Sequence, residues 1–166
     1  MPALDIEQWP IGDVKPYAKN PRAISDRAVE MVSNSLNDFG FRQPIVVDAK
    51  GVIIAGHTRH LAAQRLGMLT VPVHVAKDLD AKKARAYRLA DNKTGELADW
   101  LDVLLAEEVA ALAIDGVDLL RFGFEKDALD LLAFDGNFDA GTADEQGALD
   151  KKTPTTCPKC GHEFTP

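Results

Sequence analysis

Cysteine is scarce: the chain of 166 residues carries 2, Cys157 and Cys160, set together as Cys-Pro-Lys-Cys near the C-terminus. A bridge between them would close almost no loop, so a disulfide-stapled fold is excluded. Long apolar runs are lacking as well. No window approaches the roughly 20 uninterrupted apolar residues of a membrane span. The opening segment MPALDIEQWP has neither a basic flank nor the apolar stretch that directs secretion. A cytoplasmic protein without membrane contact is expected. What is present is 46% apolar and 27% charged, enough for one core and a small appendage but not for two large domains.

The net charge of −7 is unevenly spread. Residues 1–95 hold 14 Lys and Arg against 10 Asp and Glu, a balance of +4; residues 96–166 hold 5 against 16, a balance of −11. Affinity for nucleic acid comes largely from neutralising phosphates, so contact with DNA belongs to the first half and is opposed by the second. DNA is therefore expected to be bound weakly or through a partner.

The order of elements can be read from punctuation and periodicity. An irregular, partly extended entry leads to Asn20-Pro21, a loop signal because the residue before proline is pushed out of the helical region. Ser25 can cap a helix over 26–39 that buries Val29, Val32, Leu36 and Phe39 and stops at Gly40. Two β-branched runs, 45–48 and 52–55, joined through Gly51, read as a hairpin. Gly56 then turns the chain into a helix ending at Gly67, followed by a strand over 71–75 and a basic helix from about Ala81. Beyond Glu96, Trp100, Leu101, Leu104, Leu105, Val109 and Leu112 outline one apolar face of an acidic helix, with a shorter face at Ala128–Leu132. The expected organisation is a main domain over 1–95, an acidic helical extension packed on it over 96–134, a flexible linker over 135–156 and a tail over 157–166.

The segment most able to do chemistry is Ile53-Ile54-Ala55-Gly56-His57-Thr58-Arg59-His60. A glycine between strand and helix lets backbone N–H groups of the new helix face outward, where they and the helix dipole suit an anion. Thr58 adds a hydroxyl donor and Arg59 a charged fork for phosphate. Arg59, Arg85, Arg88 and Lys93 would form one cationic surface if the two helices are neighbours.

Several motifs in order carry a family resemblance: Lys15-Pro16-Tyr17, Asn20-Pro21-Arg22, Gly40-Phe41-Arg42-Gln43-Pro44-Ile45, Val52-Ile53-Ile54-Ala55-Gly56-His57-Thr58-Arg59 and Val71-Pro72-Val73. Over about residues 11–92 the chain resembles the ParB/sulfiredoxin-like domain family, also called the ParB-like nuclease domain. The resemblance implies a small α/β domain with a short mixed sheet, followed here by acidic helices. The stretch from Ala86-Tyr87-Arg88-Leu89-Ala90-Asp91-Asn92 to Leu119-Leu120-Arg121-Phe122-Gly123-Phe124 looks like the variant of phages and mobile elements, often associated with DNA methyltransferases; a methyltransferase or another phage protein is the implied partner.

In nucleotide-binding ParB proteins the resemblance implies a CTP or ATP site with Mg2+. Gly56-His57-Thr58-Arg59 stands where the family has Gly-Glu-Arg-Arg at a helix start, Gln43-Pro44 occupies a second position near the nucleotide, and Asp91-Asn92 stands for a Glu-Asn pair near phosphate and metal. The implied nucleotide-binding set is Gln43, Gly56, His57, Thr58, Arg59 and Asn92. His57 replaces the glutamate, Thr58 an arginine, and no arginine follows Asn92 at the family's spacing, which leaves hydrolysis open.

Other activities of this fold meet the same positions. Sulfur chemistry needs a cysteine where His57 stands. A kinase needs a positioned carboxylate, for which Asp91 or Glu30 is available. A metal-dependent DNA nuclease would draw on His57, His60 and Asp91, the catalytic candidates. A non-enzymatic adaptor is the third reading. The acidic helices beyond Glu96 lack the Arg, Lys, Asn and Gln pattern of a DNA-recognition helix.

Cys157-Pro158-Lys159-Cys160-Gly161-His162 is half of a zinc ribbon, with Cys157 and Cys160 as the metal candidates. One knuckle gives two ligands where Zn2+ wants four, so a second chain could complete the site in a homodimer. The other reading is a truncated ribbon left as a loose tail.

Overall fold

The computed structural model describes residues 5–133 and the short strands at 155–156 and 163–164. A four-stranded mixed sheet organises residues 5–133. Its strands are β1 (Glu7–Pro10), β2 (Ile45–Val47), β3 (Ile53–Ala55) and β4 (Thr70–Val75). They lie in the order β1-β4-β2-β3; β1 pairs antiparallel with β4, β4 parallel with β2, and β2 antiparallel with β3. The expected α/β class with a short mixed sheet is what the chain adopts. The entry segment, expected to be irregular and partly extended, supplies an edge strand, held by the pairing of Trp9 with Val71.

Successive side chains of a strand point to opposite faces, and β3 shows the consequence. Ile53 joins Ile45, Val47, Val71, Val73, Val14 and Ala63 in one core cluster, while its neighbour Ile54 joins Ala76 and Ala84 in another. Ala63 lies on α2 (His57–Arg65) and Ala84 on α3 (Ala81–Gly95), so the two helices cover opposite faces of the sheet.

Helix α1 (Asp26–Phe39) begins and ends at the expected residues. The Ser25 hydroxyl accepts from the Ala28 N–H at 3.1 Å, and Gly40, at φ 73°, donates its N–H to Leu36. Its expected buried face is only partly so: Val29, Val32 and Leu36 are half-buried, Phe39 is exposed, and Ser33 is buried instead, its hydroxyl donating to the Val29 carbonyl at 2.7 Å. A backbone carbonyl within the same helix satisfies the hydroxyl, so the serine is tolerated inside.

Past Gly95 come α4 (Asp102–Ile114), a 3-10 turn at Leu119–Phe122 and α5 (Lys126–Ala133). The 3-10 turn docks on α1: the Asn34 amide donates to the Arg121 carbonyl at 2.9 Å, Arg121 pairs with Asp38 at 3.2 Å, and the Phe39 and Phe122 rings lie 5.1 Å apart. Helix α4 departs from expectation. Of the apolar face proposed for it, Val109 is buried and Leu105 and Leu112 are half-buried, while Leu104, Leu101 and Trp100 stand exposed, the last two at 70% and 71%. The reason is local: α4 contacts α5 rather than the sheet.

A second compact unit spans residues 134–166 and is described only by β5 (Thr155–Thr156) paired antiparallel with β6 (Glu163–Phe164). Thr155 and Thr156, placed at the end of the expected linker, thus belong to a ladder. The zinc candidates Cys157 and Cys160 lie outside the described residues, as does the rest of that linker. No helix among the described residues is long and apolar enough to cross a membrane.

Candidate functional site

Gly56 opens the site. Its backbone sits at φ 101°, ψ 25°, the left-handed region that glycine enters without penalty, and this turns β3 directly into α2. The first helical bond runs from the His60 N–H to the Gly56 carbonyl at 2.9 Å, so the N–H groups of His57, Thr58 and Arg59 have no partner within the helix. They border a cleft of about 540 Å³ between α2, the start of α1 and the end of α3.

The cleft brings together most of the expected set. Gly56, His57, Thr58, Arg59, Asp91 and Asn92 all line it. Gln43 reaches it through Arg59, whose Nη1 donates to the Gln43 Oε1 at 2.7 Å while Nη2 donates to the Pro44 carbonyl at 3.3 Å. The Arg59 guanidinium folds over Gly56, with Nη2 3.1 Å from where a Cβ would stand, and its Nε is buried without a hydrogen-bond partner among the described residues. Burial loosens this guanidinium's hold on its proton, and Asp91 works against that.

His57 is not a cation here. Burial, then the charge of Arg88 and the nearby His60, lower its pKa to about 4. Its Nε2 accepts from the Tyr17 N–H at 3.3 Å, which places the ring proton on Nδ1 in the neutral form. It lines the cleft as a neutral imidazole, not as a charge.

His60 does not reach the cleft. It is 1% exposed, burial lowers its pKa against a smaller opposing effect of the Ile11 backbone, and neither ring nitrogen reaches a partner at full hydrogen-bond geometry among the described residues. It borders a separate small cavity of about 160 Å³, and His57 borders that cavity too, so the two histidines share a face there. The i, i+3 spacing does bring them together, but at the small cavity and not in the cleft, which His57 alone of the two lines.

The single cationic surface expected of Arg59, Arg85, Arg88 and Lys93 is also not formed. Arg88 is 4% exposed: Nε and Nη2 both donate to the Ile53 carbonyl, at 3.1 and 3.0 Å, and the guanidinium lies 3.7 Å from the Tyr17 ring centroid. Lys93 pairs with Glu96 at 2.9 Å, and Arg85 faces a different groove.

Arg22 is the cleft residue that sequence reasoning left without a role. Its Nη1 donates to the Asn92 Oδ1 at 2.7 Å, and the Asn92 amide donates to the Arg88 carbonyl at 2.8 Å, so a loop and a helix 70 residues apart in sequence are joined at the cleft wall. The Asn20-Pro21-Arg22 motif was the available signal, but no spacing rule ties it to Asn92. The cleft thus holds two arginines, the amides of Asn20 and Asn92, the hydroxyls of Ser25 and Thr58, free helix N–H groups and one lining carboxylate, Asp91, a donor-rich set suited to a phosphate-bearing ligand.

Residues 3–93 match the model of the ParB N-terminal domain. The ParB-like nuclease domain-containing protein YnaK of Escherichia coli is 42% identical over 83 residues, which make up 49% of this chain and 95% of YnaK. A nucleoid occlusion protein of Geobacillus is 32% identical over 93 residues, 53% of this chain but 33% of that protein. The C-terminally truncated chromosome-partitioning protein ParB of Caulobacter crescentus, solved in complex with CTP-gamma-S, superposes with a TM-score of 0.62 at 26% identity, covering 75% of this chain and 74% of that one. This chain spans nearly all of YnaK but about a third of the nucleoid occlusion protein. It belongs to the ParB N-terminal domain family.

Proposed function

We propose, with membership of that family as the premise, that the cleft at the start of α2 binds a nucleoside triphosphate, CTP or ATP, and that the chain serves DNA-linked regulation or modification in a phage or mobile-element setting. The observation that carries the reading is the left-handed Gly56 beneath the Arg59 guanidinium, at the open N–H groups of a nine-residue helix. The solved relative bound to CTP-gamma-S supports it at the level of the domain.

In this reading the Thr58 and Arg59 N–H groups and the Thr58 hydroxyl take phosphate oxygens. Arg59 exchanges its contact with Gln43 for a phosphate, and its unpartnered Nε gains an acceptor. Gln43 then acts by holding Arg59 ready. Arg22 and Asn92 also line the cleft, and Asp91 is the carboxylate that would meet Mg2+ when the ion accompanies the triphosphate. A single lining carboxylate, a His57 whose acceptor nitrogen is taken by the Tyr17 N–H and whose low pKa makes it a weak base, and a His60 that does not line the cleft favour binding over metal-dependent nuclease chemistry there, which would want two or more carboxylates or a histidine base within it. A DNA methyltransferase or another phage protein is the partner we propose for the acidic helices. For the tail, we propose that Cys157 and Cys160 of two chains share one Zn2+; purified protein should then hold about half a zinc per chain.

The deciding experiment is thermal unfolding with CTP, ATP, GTP and their diphosphates, each with and without Mg2+. A ligand at about a hundredfold its dissociation constant adds roughly 2.7 kcal/mol of stability. A triphosphate should raise the midpoint of the wild type, and Arg59→Ala should abolish that rise while the variant keeps the wild-type circular dichroism. No rise with any triphosphate would overturn the reading.

A further inference from the structure

A second groove, of about 430 Å³, runs along the other side of the loop and helix that wall the cleft. Pro21 faces it where Asn20 and Arg22 face the cleft, and Arg85 and Leu89 face it where Asp91 and Asn92 face the cleft. Its charge is of one sign: Lys19, Lys82, Arg85 and Arg88 line it, and no carboxylate does. Arg88 is committed to Ile53 and buried beneath Tyr17. The other three are exposed.

Those three cations are also unspent. Among the described residues, the ion pairs engage Arg27, Lys93, Arg121 and Lys126, and none engages Lys19, Lys82 or Arg85. Asp80 accepts from the Lys83 N–H at 2.8 Å as the cap of α3, Asp48 accepts from the N–H groups of Lys50 and Val52 at 2.8 and 3.0 Å, and neither forms an ion pair with the three cations. Lys82 and Arg85 stand three residues apart on one flank of α3, so their charges fall in a line, with Lys19 across the groove. Cations left unpaired along a helix flank, over a floor of Tyr17 and Leu89, are the electrostatic footprint of a polyanion.

We infer that this groove is a docking track for the phosphodiester backbone of duplex DNA. The inference rests on the DNA-linked part of the function proposed above and not on nucleotide binding in the cleft. Contacts of this kind position the protein without reading sequence, and each neutralised phosphate releases counterions. The acidic residues 96–166 set the limit on affinity, so binding is weak at physiological salt and strengthens as salt falls.

The test uses the full chain and a labelled duplex of arbitrary sequence, with fluorescence anisotropy read across a salt series. The wild type should bind at low salt and lose affinity steeply as salt rises. The double variant Lys82→Gln, Arg85→Gln should bind about tenfold more weakly at low salt and show a log–log salt slope smaller by roughly 1.8. Lys82→Arg with Arg85→Lys should keep both values, because charge is what the track requires. Neither residue lines the cleft, so the nucleotide-dependent thermal shift of the glutamine variant should equal that of the wild type. A shift absent from the wild type while DNA binding persists would overturn the nucleotide reading alone. Unchanged DNA affinity in a folded glutamine variant, or competition by polyglutamate or a single strand as strong as by duplex, would overturn the track.

Discussion

Helices α2 and α4 reverse the relation between composition and burial. In α2, HTRHLAAQR, three of nine residues are apolar, yet His60, Ala62 and Ala63 are buried. In α4, DVLLAEEVAALAI, ten of thirteen are apolar, yet Val109 is the buried residue and Ile114 is 87% exposed. The difference lies in what each helix meets. Helix α2 lies against α1 and the sheet, and small residues let it approach closely; α4 meets α5, which is too short to cover it. Apolar content creates a tendency to bury, and the neighbouring surface decides whether it is met.

The comparison is broken most directly by truncating side chains on each side of it. The largest effect is expected at the sheet: Ile53→Ala should cost about 2–5 kcal/mol in denaturant unfolding, because Ile53 is fully buried among Val14, Val47 and Ala63. Next is Gly56→Ala, at about 1–3 kcal/mol. Most of that cost comes from forcing a side chain to φ 101°; the collision with Arg59 is relieved by moving the guanidinium, at the expense of its bond to Gln43.

Acid should act on α2 in particular. His57 holds its proton less tightly folded, at about 4, than at its ordinary value of 6.5, so the unfolded chain binds more protons between those values. This contribution to stability is complete above pH 6.5, falls as pH drops through that window and is gone below about 4. Unfolding midpoints measured from pH 7 to pH 4 should decline, and His57→Gln should flatten the decline. The smallest effect belongs to the start of α4: at its N-cap, Leu101→Ala should shift unfolding by less than about 0.5 kcal/mol, since the side chain already stands in water. A loss as large as that of Ile53→Ala would show that α4 is covered in solution.

What could be read from the sequence divides along the same line. The limits of α1 follow from Ser25 and Gly40, and the entry to α2 from Gly56, because caps and left-handed turns are decided by a few adjacent residues. Gathering Gly56, Thr58, Arg59 and Asn92 at one cleft needed the family motifs as well as local chemistry. The Arg22–Asn92 contact, the burial of Arg88 and the removal of His60 from the cleft depend on how α3 and the 17–22 loop cross β3, and no periodicity records that crossing. The exposed face of α4 was misread for a related reason: its periodicity points to a partner surface, and helical spacing alone does not say that the sheet is out of reach.

The Arg88 side chain also has a bearing on how the sheet ends. β3 is its outer strand, and an outer strand presents N–H and C=O groups that invite another chain to pair. At Ile53 both groups are taken: the N–H donates to the Lys15 carbonyl at 2.9 Å, and the carbonyl receives two bonds from the Arg88 guanidinium. The backbone of Lys15, bridged in parallel to Val52, and a side chain from α3 thereby share the work of a fifth strand at that position, and the sheet stops growing where its own chain has closed the last rung.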